Sequence, residues 1–236
     1  MNYGSLGSSH DGSYNGGITP GVATIGGDTG VAFNGINDFV DSGGGAPLSL
    51  TGNPSFTIET LVFIPTGASA LNYPTFLHWG APGTANSVFF GLRRFENNKI
   101  YAGFYNGGQM MSGTIALDEW HHIVMVRNGG GNSATGTTLY VDGASVALTP
   151  DTLLPSPILT PTLTSTTFRI NRATDDSRVF TGSMDELALY DRVLSESEVE
   201  AHFNALTIPE PSTVILLCLA ILGMLVYGWH RPKKVA

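Results

Sequence analysis

Paired carboxylates are the first candidates for chemistry in this chain, because two of them aimed into one cleft can hydrolyse a glycosidic bond. Asp118–Glu119 and Asp185–Glu186 are adjacent in sequence, and neighbouring residues of a strand point to opposite faces. The glutamates at 196, 198 and 200 fall in a predicted helix, where residues two apart face different ways. No spacing therefore predicts a catalytic pair, and we expect a protein that is not an enzyme. A glycoside hydrolase-like enzyme with a site built from scattered residues is an alternative.

Other reactive groups lack the spacing that their chemistry requires. Cys218 is the only cysteine and lies in an apolar run, so thiol chemistry is excluded from the rest of the chain. The segment Gly131–Thr137 has the glycine spacing of a phosphate-binding loop but lacks its lysine. His121 and His122 are predicted to point to opposite faces of one strand. They cannot bind one ion as a pair, and we expect both to be packing residues.

The C-terminal residues 207–236 contain three successive signals. Residues 207–212 form a short linker that ends in the motif Pro209-Glu210-Pro211-Ser212. Residues 213–230 are apolar and predict a transmembrane helix at the short end of the usual range. Lysine and arginine favour the cytoplasmic side, so the basic tail 231–236 places residues 1–206 outside the membrane. The basic residues of this tail are Arg231, Lys233 and Lys234.

This order of motif, span and basic tail resembles the PEP-CTERM sorting signal of Gram-negative bacteria. The resemblance implies that a membrane protease, exosortase, recognises the motif. It also implies release or re-anchoring of the protein at the cell envelope or in an extracellular polysaccharide matrix. An ordinary C-terminal membrane anchor is the alternative. Residues 1–30 lack the apolar run of an export signal, so we expect a start codon placed too late or a trimmed chain. A tail-anchored protein with a cytosolic domain is disfavoured by the basic tail.

Composition predicts one acidic, all-β domain at residues 1–206. Three of the 11 basic residues and one of the 19 acidic residues lie beyond residue 206, which leaves the domain a net charge of −10. Such a surface repels phosphate backbones, so nucleic acid is not an expected partner. The 30 glycines and 13 prolines are typical of many short strands joined by turns.

Nine strands and one helix are predicted along this domain. Ser195 and Glu198 form a capping box that begins a helix over about residues 196–205, with Leu194 and Val199 as its hydrophobic staple. Trp120 is predicted to fill the core, and Asp142-Gly143 to form a hairpin turn. Nine strands at this spacing suggest two packed antiparallel sheets. The strands are predicted at 31–33, 56–64, 75–79, 88–92, 100–104, 122–127, 138–141, 167–170 and 184–190.

Three segments resemble the LamG-like group of concanavalin A-like jelly rolls. They are 30–40 (GVAFNGINDFV), 118–127 (DEWHHIVMVR) with 139–143 (LYVDG), and 182–195 (GSMDELALYDRVLS). The resemblance implies a jelly-roll sandwich of two antiparallel sheets with one short C-terminal helix. It also implies a structural Ca²⁺ held by Asp185, with Asp11 or Asp28 as a second carboxylate. Capping of a backbone turn by Asp185 is the alternative.

We therefore expect an exported, non-catalytic module that binds glycan or matrix. Aromatic rings exposed on a concave sheet would bind sugars by stacking, and Tyr101, Phe104 and Tyr105 are the candidates. A structural or adhesive envelope protein without a saccharide ligand is the alternative, which a flat, polar sheet would favour.

Overall fold

A computed structural model describes residues 7–207 apart from 69–72, 94–97, 153–154 and 174–176, together with residues 222 and 224. Fifteen strands and one α-helix lie in these ranges. They are β1 (Gly12–Asn15), β2 (Thr19–Ala23), β3 (Thr29–Asn34), β4 (Phe39–Gly45), β5 (Phe56–Phe63), β6 (Thr75–Trp79), β7 (Val88–Arg93), β8 (Lys99–Phe104), β9 (Gln109–Thr114), β10 (Trp120–Arg127), β11 (Thr137–Val141), β12 (Ala144–Val146), β13 (Thr149–Pro150), β14 (Thr167–Ile170), β15 (Thr181–Tyr190) and α1 (Glu196–Thr207).

The strands form two antiparallel sheets that pack face to face, as the sequence predicts. One sheet has eight strands in the order β1-β4-β14-β6-β7-β8-β9-β13, and the other has seven in the order β12-β11-β10-β5-β15-β3-β2. All nine predicted strands are present. The six strands that were not predicted, β1, β2, β4, β9, β12 and β13, occupy the first or second position from a sheet edge. Edge strands bury less apolar surface, so their sequences carry a weaker pattern.

One continuous core fills the space between the sheets. The rings of Phe56 and Phe168 meet Trp79 edge to face at 5.1 and 5.5 Å, and Phe76 contacts Phe90 and Phe180 in the same way. The expectation that Trp120 fills the core is wrong. Its side chain is half-buried on the outer side of the seven-stranded sheet and packs on Phe63 at 5.8 Å, because the alternation along β10 turns it away from the core.

The helix α1 covers part of the outer side of the seven-stranded sheet. Its predicted cap is confirmed: the Glu198 amide donates to the Ser195 hydroxyl at 3.3 Å, and the Ser195 amide donates to the Glu198 carboxylate at 2.8 Å. Leu194 and Val199 are buried against apolar residues of β10 and β11. We call this side, with the helix and the sheet surface beneath it, the helix face.

The sorting signal lies almost wholly outside the described residues. The predictions that fall outside are the motif at 209–212, nearly all of the transmembrane helix at 213–230, and the basic tail. Within the described ranges, no helix combines the length and apolar character that crossing a membrane requires.

Candidate functional site

Three carboxylates converge on the helix face at a bulge in β15. The pairing of β15 with β5 shifts between Asp185 and Ala188, and Glu186 adopts a left-handed backbone with φ of 48°. This bulge turns Glu186 toward Asp185, and Asp28, just before β3, joins them. Each residue offers an oxygen within 4.8 Å of the others. The expectation that Asp185 and Glu186 point apart is therefore wrong, because a bulge interrupts the regular alternation.

The electrostatics of this carboxylate cluster favour a cation. Burial, partly opposed by hydrogen bonds from Glu186 and Thr24, raises the pKa of Asp185, and the charge of Asp28 raises it further. Burial and the charges of Asp185 and Asp28 raise the pKa of Glu186 as well. A divalent cation would remove this repulsion. The cluster fits Ca²⁺, which takes six to eight oxygens, because three carboxylates can supply several of them.

Of the residues predicted for calcium, the structure brings Asp28 and Asp185 together and leaves Asp11 apart. Asp11 precedes β1 of the other sheet, where its carbonyl accepts the Gly43 amide at 3.2 Å. Glu186 was not predicted as a partner. The only sequence signal for it was its position next to Asp185, and the bulge that makes use of this position has no signature of its own.

Two of the three predicted ligand-binding aromatics, Tyr101 and Tyr105, lie on the outer side of the eight-stranded sheet. Tyr101 is 1% exposed and Phe104 is 0% exposed, so the expectation that these two rings stack on a sugar is wrong. Phe104 faces the core, and Tyr101 is buried with Phe89 and Met111 on the outer side. Tyr105 is half-buried and packs against Phe89 with the ring centres 5.8 Å apart. Of the three, only Tyr105 presents surface to a ligand.

Arginine side chains pack over these rings. The Arg178 guanidinium lies 4.8 Å from the centre of Phe89 and 5.1 Å from the centre of Tyr73. Arg93 lies 4.5 Å from the same Tyr73 ring and forms a buried ion pair with Asp151. We call this outer side of the eight-stranded sheet, with the loops packed on it, the arginine face.

Two features of the arginine face differ in how far the sequence reveals them. The apolar residues on both faces of β7 and β8 are a signal that the outer side of these strands is covered, and this signal could have excluded Tyr101. Arg178 lies in the loop between β14 and β15, and no local pattern identifies it.

A second network of titratable groups joins α1 to the sheet on the helix face. Glu59 of β5, with its side chain 8% exposed, accepts hydrogen bonds from His122 Nε2 at 2.8 Å and from His202 Nδ1 at 3.0 Å. Burial, together with the nearby Glu59 carboxylate, raises the pKa of Tyr190 to about 12. Burial raises the pKa of Glu59, but the two histidines outweigh burial and hold it below its ordinary value.

The two adjacent histidines bind different carboxylates, in agreement with the expected opposite faces. His121 Nδ1 lies 2.8 Å from the Asp142 carboxylate, whereas His122 bonds to Glu59. The predicted hairpin turn is confirmed by the positive φ of Asp142 and Gly143, 51° and 78°. Burial lowers the pKa of His121, but Asp142 and Glu119 raise it to a net value above the ordinary one.

Comparisons with known proteins agree with the geometry. The family model of the concanavalin A-like lectin/glucanases superfamily matches residues 26–200, and that of the PEP-CTERM protein-sorting motif matches residues 207–231. The sorting motif supports export to the cell envelope. No match was found among curated proteins.

Several solved structures share the fold at low sequence identity. Domain 4 of AbnA, an extracellular arabinanase from Geobacillus stearothermophilus solved with arabinotriose, is 16% identical with a TM-score of 0.57, over 84% of this chain and 90% of that one. The binding domain of Paraclostridial Mosquitocidal Protein 1 is 16% identical with a TM-score of 0.57, over 84% of this chain and 48% of that one. Botulinum neurotoxin type C, whose cell entry depends on two ganglioside molecules, is 14% identical with a TM-score of 0.60, over 86% and 48%. The chain thus spans about half the length of the two toxin structures.

Proposed function

The chain belongs to the concanavalin A-like lectin/glucanases superfamily, and from this membership we propose that it is an exported, non-catalytic module that binds glycan at the cell envelope. The observation that carries the proposal is the stack of aromatic rings and guanidinium groups on the arginine face. Sugar faces stack on aromatic rings, and arginine supplies hydrogen bonds in a fixed plane. The solved relatives that were studied with arabinotriose or gangliosides suit this proposal through their shared fold.

Tyr73 and Tyr105 are two tyrosines of the arginine face. Both are half-buried, and each contacts a ring of the buried layer beneath: Tyr73 meets Tyr101 at 6.2 Å and Tyr105 meets Phe89 at 5.8 Å. A ring held in place by its neighbours loses little rotamer entropy when a sugar binds. Tyr105 therefore forms the proposed stacking surface, beside Tyr73, on whose ring Arg93 and Arg178 pack.

A glycan array probed with the full-length chain in detergent tests this proposal. We expect binding to at least one polysaccharide class and a clear loss in Tyr105→Ala. Tyr14→Ala is the matched control, because Tyr14 is 64% exposed on the edge strand β1, away from the proposed surface. Equal binding by both variants would exclude Tyr105 from the site.

A structural or adhesive role without a saccharide ligand is the second candidate, and the closed layer beneath the arginine face favours it. Phe89, Tyr101 and Met111 are at most 4% exposed, so no open groove runs along these strands. An array without any bound glycan, from a chain that is folded by circular dichroism, would select this second function.

We also propose that the carboxylate cluster holds a structural Ca²⁺ and takes no part in hydrolysis. Asp28 and Glu186 are exposed and Asp185 is half-buried, on the helix face and therefore on the opposite side of the sandwich from the proposed sugar surface. A hydrolase site would need the substrate and the carboxylates together. Cleavage of β-glucans by the wild-type chain, lost in Glu186→Gln, would replace this proposal by the enzymatic alternative.

The sorting partner that we propose is an exosortase-type membrane protease, with the membrane and an extracellular polysaccharide as surroundings. The helix α1 ends at Thr207, where the matched sorting motif begins. Mass spectrometry of the mature protein from its native host should find a product that lacks the region beyond about Ser212. Retention of residues 214–229 would show a permanent anchor instead.

A further inference from the structure

The basic residues of this acidic protein are concentrated on one side. The chain carries a net charge of −8, yet five of the seven described lysines and arginines belong to the arginine face. Arg169 pairs in register with His78, which contacts Phe89 of that face, and Lys99 pairs with Arg93. The five residues are Arg93, Lys99, Arg169, Arg172 and Arg178.

Two of these guanidinium groups are paired with carboxylates. Asp151 forms an ion pair with Arg93, and Asp41 forms one with Arg169 at 2.9 Å. Arg178 is different, because no carboxylate in the described ranges forms an ion pair with it. Its contacts are the rings of Tyr73 and Phe89 and the hydroxyl of Tyr101. A guanidinium carries five N–H groups, so others remain for a ligand.

The position of Arg178 is fixed by its surroundings. Its backbone is left-handed with φ of 66°, a conformation that is uncommon for residues other than glycine and that persists only where neighbouring structure holds it. The Arg178 carbonyl accepts the Thr75 amide at 2.8 Å, which ties the loop to β6. The side chain is half-buried between the rings of Tyr73 and Phe89. The cation is thus preorganised.

We infer that the glycan bound by the arginine face is a uronic acid polysaccharide, with Arg178 as the residue that binds its carboxylate. This inference rests on the proposed glycan-binding function and adds the chemical class of the ligand. A planar guanidinium offers two parallel N–H groups that match a carboxylate in a bidentate pair. The half-buried ring of Tyr105 packs on Phe89, which Arg178 also contacts, and stacks on a sugar ring beside the cation. The otherwise acidic surface repels the polymer elsewhere and so orients it toward this side.

Affinity measurements with the full-length chain in detergent test the inference. The probes are polygalacturonate and the neutral galactan obtained from it by reduction of its carboxyl groups, which has the same sugar stereochemistry and linkage. We expect the wild type to bind polygalacturonate about tenfold or more tighter than the neutral polymer, since a charge-assisted hydrogen bond has this strength. Arg178→Gln should lower the affinity for polygalacturonate by about this factor and leave the affinity for the neutral polymer unchanged.

Two controls separate specific binding from ion exchange. Arg192→Gln removes one positive charge at a site that is 54% exposed outside the arginine face, and it should leave the affinity unchanged. Arg178→Lys keeps the charge but loses the bidentate geometry, so it should bind polygalacturonate less tightly than the wild type. Dextran sulfate has no carboxylate and should bind more weakly than polygalacturonate at equal ionic strength.

The outcomes distinguish this inference from the function on which it rests. Equal affinity of the wild type for both polymers, with a loss in Tyr105→Ala and none in Arg178→Gln, would overturn the acidic ligand and leave the glycan-binding function intact. Stronger binding of dextran sulfate, equally weakened by Arg178→Gln and Arg192→Gln, would reduce the interaction to ion exchange and overturn the inference. Absence of binding to every polysaccharide of the array would overturn the proposed function and the inference together.

Discussion

The two outer sides of this sandwich have opposite chemistry. The arginine face combines guanidinium groups with aromatic rings above a closed apolar layer. The helix face combines carboxylates with histidines and is partly covered by α1. The comparison teaches that a single fold can carry opposite charges on its two outer sides, and our proposals assign an anionic glycan to one side and a cation to the other.

The largest effect is expected from the buried ion pair on the arginine face. Asp151→Asn removes the carboxylate that neutralises Arg93, both side chains being 1% exposed. Loss of one partner of a buried pair destabilises a protein by about 3–5 kcal/mol. Urea denaturation should show this loss of stability. Asp41→Asn is the milder control, because the side chains of its pair with Arg169 are 33% and 20% exposed. A stable Asp151→Asn variant would show that the arginine face does not depend on this pair.

Calcium removal is the corresponding test on the helix face. An ion that binds only the native state stabilises it by about 2.7 kcal/mol at a hundredfold excess over its Kd. Chelation should therefore lower the Tm of the wild type, and Asp185→Asn should abolish this response. Asp11→Asn should retain it, since Asp11 lies on the other sheet. Identical melting curves with and without chelator would contradict the proposed calcium site.

The contact between α1 and the sheet should weaken at acidic pH. The pKa of Glu59 in the folded state lies below its ordinary value of 4.5. Its contribution to the stability of the fold is therefore present above pH 4.5 and is lost as the pH falls through the folded pKa. Glu59→Gln should cost about 1–3 kcal/mol at pH 7, because two histidines lose a charged acceptor. It should also flatten the stability curve below pH 4.5. Glu200→Gln, at an exposed position of α1, is the control and should change neither.

His121 should have the smallest effect on stability, and its dependence on pH should be opposite to that of Glu59. Its folded pKa is raised above 6.5, so its contribution is complete below pH 6.5 and is lost as the pH rises through the folded pKa. The pair with Asp142 is partly exposed, and we expect less than about 1 kcal/mol. NMR titration of the imidazole in the wild type and in Asp142→Asn measures the pKa shift that this pair causes. A pKa of His121 that is unchanged by Asp142→Asn would contradict the assigned pair.

The sequence predicts the interior of the fold far better than its sites. The central strands and the helix cap were predicted because alternation and capping are local signals, as in Ser195 and Glu198. Tyr101 and Phe104 were misplaced for different reasons: Phe104 faces the core, whereas Tyr101 lies on an outer side whose cover is indicated only by the apolar residues on both faces of β7 and β8. Glu186 and Arg178 reach their sites through a bulge and a left-handed loop residue. Such backbone irregularities arise from tertiary packing, so no short sequence pattern encodes them.

Hydrogen exchange of the full-length chain with and without polygalacturonate tests most directly whether the two sides divide their roles as proposed. The arginine face should become protected, in peptides that cover residues 101–109 and 177–180. The helix α1 at 196–207 and the carboxylate cluster should exchange at unchanged rates. Protection confined to α1 or to the segment around Asp185 would contradict the account, because the glycan would then lie on the helix face.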